Sequence, residues 1–164
     1  SYSDPSYIDA GSYSLQGTGG SALNYIFNLT PTNNLTVNKA TLNISAANAS
    51  RIYGNTNAAI NYQYSGFVGT QDASVLDSLP TANTSATQFS DIGAYAITLS
   101  GGLDNNYSYS LTDGTLTINT RPITLTANNA AREYGDANPA LSFSVGGSGF
   151  ARLSDQTAFN GVAS

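Results

Sequence analysis

The chain repeats itself. A period of tens of residues constrains architecture more than any local pattern, because each unit must fold on nearly the same plan. Asp9, Gly11, Tyr13, Gly19, Gly20, Asn24, Tyr25, Leu29 and Thr30 recur without a gap as Asp91, Gly93, Tyr95, Gly101, Gly102, Asn106, Tyr107, Leu111 and Thr112, about 82 residues on. The next loop shortens by one residue. Leu35, Val37 and Asn38 then match Leu116, Ile118 and Asn119, and Ala46, Arg51, Tyr53, Gly54 and Asn57 match Ala127, Arg132, Tyr134, Gly135 and Asn138. Further on, Ser65-Gly66-Phe67 and Asp72 return as Ser148-Gly149-Phe150 and Asp155. The chain runs out of phase with this unit: residues 1–38 read as the second half of one repeat, 39–120 as a complete one, and 121–164 as the first half of a third.

Within the complete copy, apolar side chains alternate with polar ones in short runs, the period-2 signature of strands with one buried face. Leu42, Ile44 and Ala46 form the first run, Ile60, Tyr62 and Tyr64 the second, and Tyr95, Ile97 and Leu99 the third. Tyr107, Tyr109 and Leu111 form the fourth, Leu116 and Ile118 the last. Because the Tyr residues sit at the apolar phase, most are expected in the core, with their hydroxyls reaching its edge. Asp113-Gly114 lies between the last two runs and predicts a tight hairpin there. A short helix is expected from Asp72, as N-cap, to Pro80, two turns at most. The expected class is all-β, with sheet packed on the short helix or on an opposing layer of strands.

Composition narrows the function. Charged residues are 9% of the chain, against about 25% in ordinary soluble domains, so solubility rests on Ser, Thr, Asn and Gly. The hydrophobic share of 40% still suffices for cores and separates the chain from disordered ones. A net charge of −5 with only five Lys and Arg makes nucleic acid an unsuitable partner. No apolar run has the length of a membrane helix, so no membrane insertion is expected in this segment. The chain contains no Cys and no His, one Lys and one Glu, which removes thiol nucleophiles, triads and imidazole metal sites. No enzyme activity is expected.

The motifs Arg51-Ile52-Tyr53-Gly54-Asn55 and Arg132-Glu133-Tyr134-Gly135-Asp136, each followed by Ser-Gly-Phe, together with Asp91-Ile92-Gly93-Ala94-Tyr95 and Gly114-Thr115-Leu116-Thr117-Ile118, carry a resemblance. In this order they resemble the MBG ("mostly β-grasp") repeats of large bacterial surface and filamentous-haemagglutinin-like adhesins. The resemblance implies a β-grasp-like fold with a reduced helix, arrayed in long exported proteins. It also implies an extracellular place on the cell surface or in a secreted fibre, and brings no catalytic residues. Tyr53-Gly54 has structural sense besides, setting a large ring beside a residue free to adopt positive φ.

Three function classes remain. One is a structural stalk or fibre repeat assembling head to tail with neighbouring repeats or identical subunits. A second is a glycan- or matrix-binding module. The third is a self-associating biofilm filament in which residues 121–164 of one copy and 1–38 of the next complete a domain by donated strands. No cofactor is expected. Calcium is the one ion the residues suit, with Asp72, Asp104 and Asn106 as candidate oxygen ligands. They follow no known loop spacing, and turn formation accounts for them equally well. Asn-x-Ser/Thr triplets at Asn28, Asn34, Asn43, Asn48, Asn83 and Asn106 are as numerous as this composition produces by chance. Lys39 reads as an exposed cation.

Overall fold

The computed structural model describes residues 7–15, 23–25 and 33–159; Asn28, Gly19, Gly20, Leu29 and Thr30 lie outside them. Mostly β-sheet with one short α-helix, the structure is compatible with an all-β, β-grasp-like fold. The strands are β1 (Gly11–Leu15), β2 (Asn33–Val37), β3 (Ala40–Ala46), β4 (Ala49–Ile52), β5 (Tyr62–Ser65), β6 (Thr81–Asn83), β7 (Gly93–Ser100), β8 (Tyr107–Thr112), β9 (Gly114–Asn119), β10 (Ile123–Ala127) and β11 (Phe143–Gly147), followed by helix α1 (Leu153–Ala158). They form sheets ordered β1-β2, β5-β3-β8, β4-β9-β7-β6 and β10-β11.

The chain divides into two compact units. The first comprises residues 1–46, 62–82 and 98–113; the second comprises 47–61, 83–97 and 114–164. In the first, β3 lies between β5, antiparallel, and β8, parallel, with Ile44 opposite Tyr64 on one side and Leu111 on the other. Leu42 and Ile44 are fully covered, whereas Thr41 and Asn43 between them are exposed. That alternation is what a sheet with one dry face requires. Each such side chain contributes about 1.5–3 kcal/mol by leaving water. In the second unit, β9 sits between β4, parallel, and β7, antiparallel, and buries Leu116 and Ile118 while Thr115 and Thr117 stay exposed.

The flanking strand pairs β1-β2 and β10-β11 have the register of the strands they match in sequence. Tyr13 opposite Leu35 and Gly11 opposite Val37 answer to Tyr95 opposite Leu116 and Gly93 opposite Ile118. Leu125 opposite Val145 and Ala127 opposite Phe143 answer to Ile44 opposite Tyr64 and Ala46 opposite Tyr62. Single bonds recur too: the Tyr13 hydroxyl donates to the Asp9 carbonyl at 2.7 Å, and the Tyr95 hydroxyl to that of Asp91 at 3.0 Å.

Two local expectations are corrected. Asp113-Gly114 does not turn a hairpin, since β8 and β9 lie in different sheets. Only Asp113 separates the two strands, and the tightest common hairpin needs a two-residue loop. The buried phase also shifts there, from Tyr107 to Gly114, Leu116 and Ile118, as a strand passing between sheets demands. The Asp113 carboxylate instead accepts from the Leu99 amide at 2.9 Å. The second correction concerns the helix at Asp72. Asp72 caps as expected, accepting from Ser74 N at 2.9 Å, yet it opens only a single 3-10 turn, Ala73–Val75. Ser78 pairs through its backbone with Leu103, in both directions, and this draws the chain out of helical geometry.

Candidate functional site

Two polar or charged residues are buried among the described residues, Arg51 and Asp104, and Asp104 lies among the candidate ligands. Although 95% covered, it is supplied with donors: Oδ1 accepts from the amides of Asn106 (2.7 Å) and Tyr107 (2.8 Å), and Oδ2 from that of Asp77 (3.1 Å). Asp77 returns the contact by accepting from the Asn105 amide at 3.0 Å. The two loops are thus clasped reciprocally, and charge-assisted bonds of this kind are about twice as strong as neutral ones. Asn106 is committed as well, its Oδ1 to the Ala10 amide (2.7 Å) and its Nδ2 to Asp9 (2.9 Å). Asp104 and Asn106 therefore share one loop and line one cavity of about 10 Å³, while Asp72 does not line it. Hydrogen bonds to Ser74 hold the Asp72 carboxyl below its ordinary pKa. Among the described residues no three acidic side chains gather as a metal-binding group.

Arg51 is a second hub. It is 92% covered, and its guanidinium donates to the main-chain oxygens of Thr87 and Gln88 (3.3 Å) and to the side-chain oxygen of Asn57 (2.7 Å). Asn57 in turn donates to the Ala86 carbonyl at 2.7 Å. A buried guanidinium needs every donor engaged, and this network draws residues 86–88 onto the Arg51 segment. Directly after it, Tyr53 leads into Gly54, whose φ of 87° is open to glycine and closed to most other residues. Tyr134 and Gly135 repeat the turn, with φ 97° at the glycine. Residues 42–117 match the family model of the MBG domain (YGX type).

Those 76 of the 164 residues are similar to MBG domains. MBG domains are a structural repeat family, typical of extracellular surface proteins and not known for enzymatic activity. No curated relative and no solved structure matches the chain.

The Tyr of the Tyr53-Gly54 turn is polar-bonded. The Tyr53 hydroxyl donates to Asp155 Oδ1 at 3.1 Å, and Arg152 Nε bonds the same oxygen at 2.9 Å. Arg152 lowers the pKa of Asp155, and the Tyr53 bond lowers it further; partial burial and the Asp155 bond raise that of Tyr53. Asp155 Oδ2 is covered without a hydrogen-bond partner among the described residues, which leaves the carboxylate dependent on those two contacts.

Elsewhere in the matched segment, Tyr107 is buried and its hydroxyl contacts Gln71, whereas Tyr62, Tyr64 and Tyr109 are only half-buried. The expected Tyr core is thus one residue deep. Tyr62 and Tyr109 reach out to the carbonyls of Pro80 (2.8 Å) and Ser78 (3.1 Å), which holds them near the edge. Lys39 donates to the Asp104 carbonyl at 2.6 Å. Asn34, Asn43, Asn48 and Asn83 are exposed and Asn106 is half-buried. A cavity of about 170 Å³ lies against Tyr7, Ile8, Val37, Val68 and Tyr107, with Asp9 as its charged residue. Arg51, Phe89, Arg121, Arg152 and Asp155 carry contacts that sequence reading did not assign. The repeated Tyr-Gly and Asp positions were the available signal.

Proposed function

We propose that the chain is a spacer segment of an extracellular bacterial surface protein, in which MBG-type units of about 82 residues succeed one another head to tail and hold a distal part away from the cell. The supporting observation is the register. Both flanking strand pairs match, residue for residue, the strands they correspond to within residues 39–120, which is what a continued array of one unit produces. Neighbouring repeats are then the partners. Small-angle scattering on the chain, and on the chain lengthened by one more unit of about 82 residues, tests this. Maximum dimension rises by one domain length if units add end to end. An unchanged dimension, or specific glycan binding by the matched segment on an array, favours the adhesive module.

One observation supports self-association as a second reading. β3 takes β8 in parallel on the edge away from β5, while β10, its counterpart, is in a two-stranded sheet among the described residues. A second copy supplying its 1–38 segment would complete that edge. Concentration-dependent sedimentation of the chain separates this filament from a monomeric spacer.

A further inference from the structure

The Tyr-Gly turn occurs twice with one backbone form and two different surroundings. Both turns close with the same bond, Asn55 N to Ile52 O at 3.1 Å and Asp136 N to Glu133 O at 3.2 Å. A Cβ on Gly54 would lie 2.4 Å from the Cβ of Ala151; among the described residues nothing lies within 4 Å of the same position on Gly135. Tyr53 is half-buried, bonded to Asp155 and set edge-on to Phe89, whereas Tyr134 is 106% exposed. The first turn is covered by the loop from Ser148 to Asp155, the counterpart of Ser65 to Asp72 in the next copy of the repeat. Arg121 staples it there: Nε donates to the Gly149 carbonyl at 2.8 Å, Nη2 to that of Ser148, and Nη1 reaches the Tyr53 carbonyl at 3.4 Å.

We infer that the Tyr-Gly turn is a docking socket between successive units. The Tyr53-Gly54 turn receives the Ser-Gly-Phe loop of the next unit, and the Tyr134-Gly135 turn presents the same socket to the corresponding loop of a further unit of this repeat. The glycine is needed twice over, for its positive φ and because a side chain would strike the incoming Ala151. The other face of the loop supports the same mode. Arg152 places its guanidinium 5.1 Å from the ring centre of Phe89, and Gly69, its counterpart, lies against Tyr7, the counterpart of Phe89, where a Cβ would be 2.9 Å from the hydroxyl. A loop meeting an aromatic residue of the preceding half-unit thus occurs in both copies of the loop. The inference rests on the head-to-tail reading above, and its test separates the two.

Gly54→Ala, Gly135→Ala and the double variant Gly54→Ala/Ala151→Gly, made in the 164-residue chain, isolate the contact. Both single variants strain a positive-φ position, but only the first meets Ala151. In hydrogen exchange, amides of residues 148–158 should lose protection about tenfold in Gly54→Ala relative to Gly135→Ala, and regain it in the double variant. Should Gly54→Ala fail to fold, recovery of the fold by Ala151→Gly reads the same contact. Equal exchange in the two single variants, or no recovery in the double one, overturns the inference. In the lengthened chain, the amides of residues 133–136 should gain protection. If that chain grows by a domain length while 133–136 stay unprotected, the socket fails and the array stands; if it does not grow, the array itself fails.

Discussion

Strands β3 and β10 make the same antiparallel pairing in the same register, yet Ile44 in β3 is fully buried and its counterpart Leu125 is 43% exposed. The difference lies on the other edge. β3 has β8 beside it in parallel, and Leu42, Ile44 and Ala46 all lie within the core of a three-stranded sheet. Among the described residues β10 has one partner, and its residues are half-buried at best. Pairing register is therefore a local property, set by alternation and turn, while burial requires a third strand and a covering layer.

The sharpest break of this comparison is a matched pair of truncations. Ile44→Ala is expected to cost about 2–5 kcal/mol, and Leu125→Ala under about 1 kcal/mol, read as shifts of the urea midpoint at constant m. Equal losses would mean that β10 is as well buried as β3. Next in size is Asp104→Ala, which leaves the amides of Asp77, Asn106 and Tyr107 without their acceptor. A loss of about 2–3 kcal/mol is expected in the same titration, and a loss below about 0.5 kcal/mol would return the clasp to an ordinary surface turn.

A smaller effect comes from Asp155, whose folded pKa is depressed by Arg152 and then Tyr53. A lowered carboxyl pKa stabilises above the unfolded value, near 3.9, and the contribution disappears as pH falls through the lowered one. Exchange protection in residues 148–158 should therefore be level from neutral pH down to about 4 and decline below it, and Asp155→Asn should flatten the decline. The smallest expected effect is that of calcium. The Asp104 oxygens face backbone amides, and Asp72 caps its own turn, so added calcium or EDTA should leave Tm unchanged. A rise with calcium would restore Asp104 and Asn106 as ligands.

Much of the fold is legible in the sequence, and the exceptions share a cause. The apolar phases of Leu42-Ile44-Ala46 and Leu116-Ile118 sit in the buried rows they suggest, because a period of two is a property of the strand itself. The hairpin expected at Asp113-Gly114 fails because turn chemistry says which residues tolerate a turn, not which strand lies alongside. The Asp104 clasp escapes sequence reading for a similar reason: its partner Asp77 lies 27 residues away from Asp104, and nothing in local composition marks the pair.

From the sequence alone came the repeat of about 82 residues, the strand faces and the freedom of Gly54 to take positive φ. These arise from side-chain periodicity and backbone sterics, which act over a few residues and so are written in order along the chain. Only the tertiary structure decided that β3 lies parallel to β8 and β4 to β9, and that one Tyr-Gly turn is covered while its twin stands open. Parallel neighbours need long crossovers, and contacts such as Tyr53 with Asp155 span 102 residues. Such pairings are set by which surfaces exclude water together, a choice among distant segments that no local window contains.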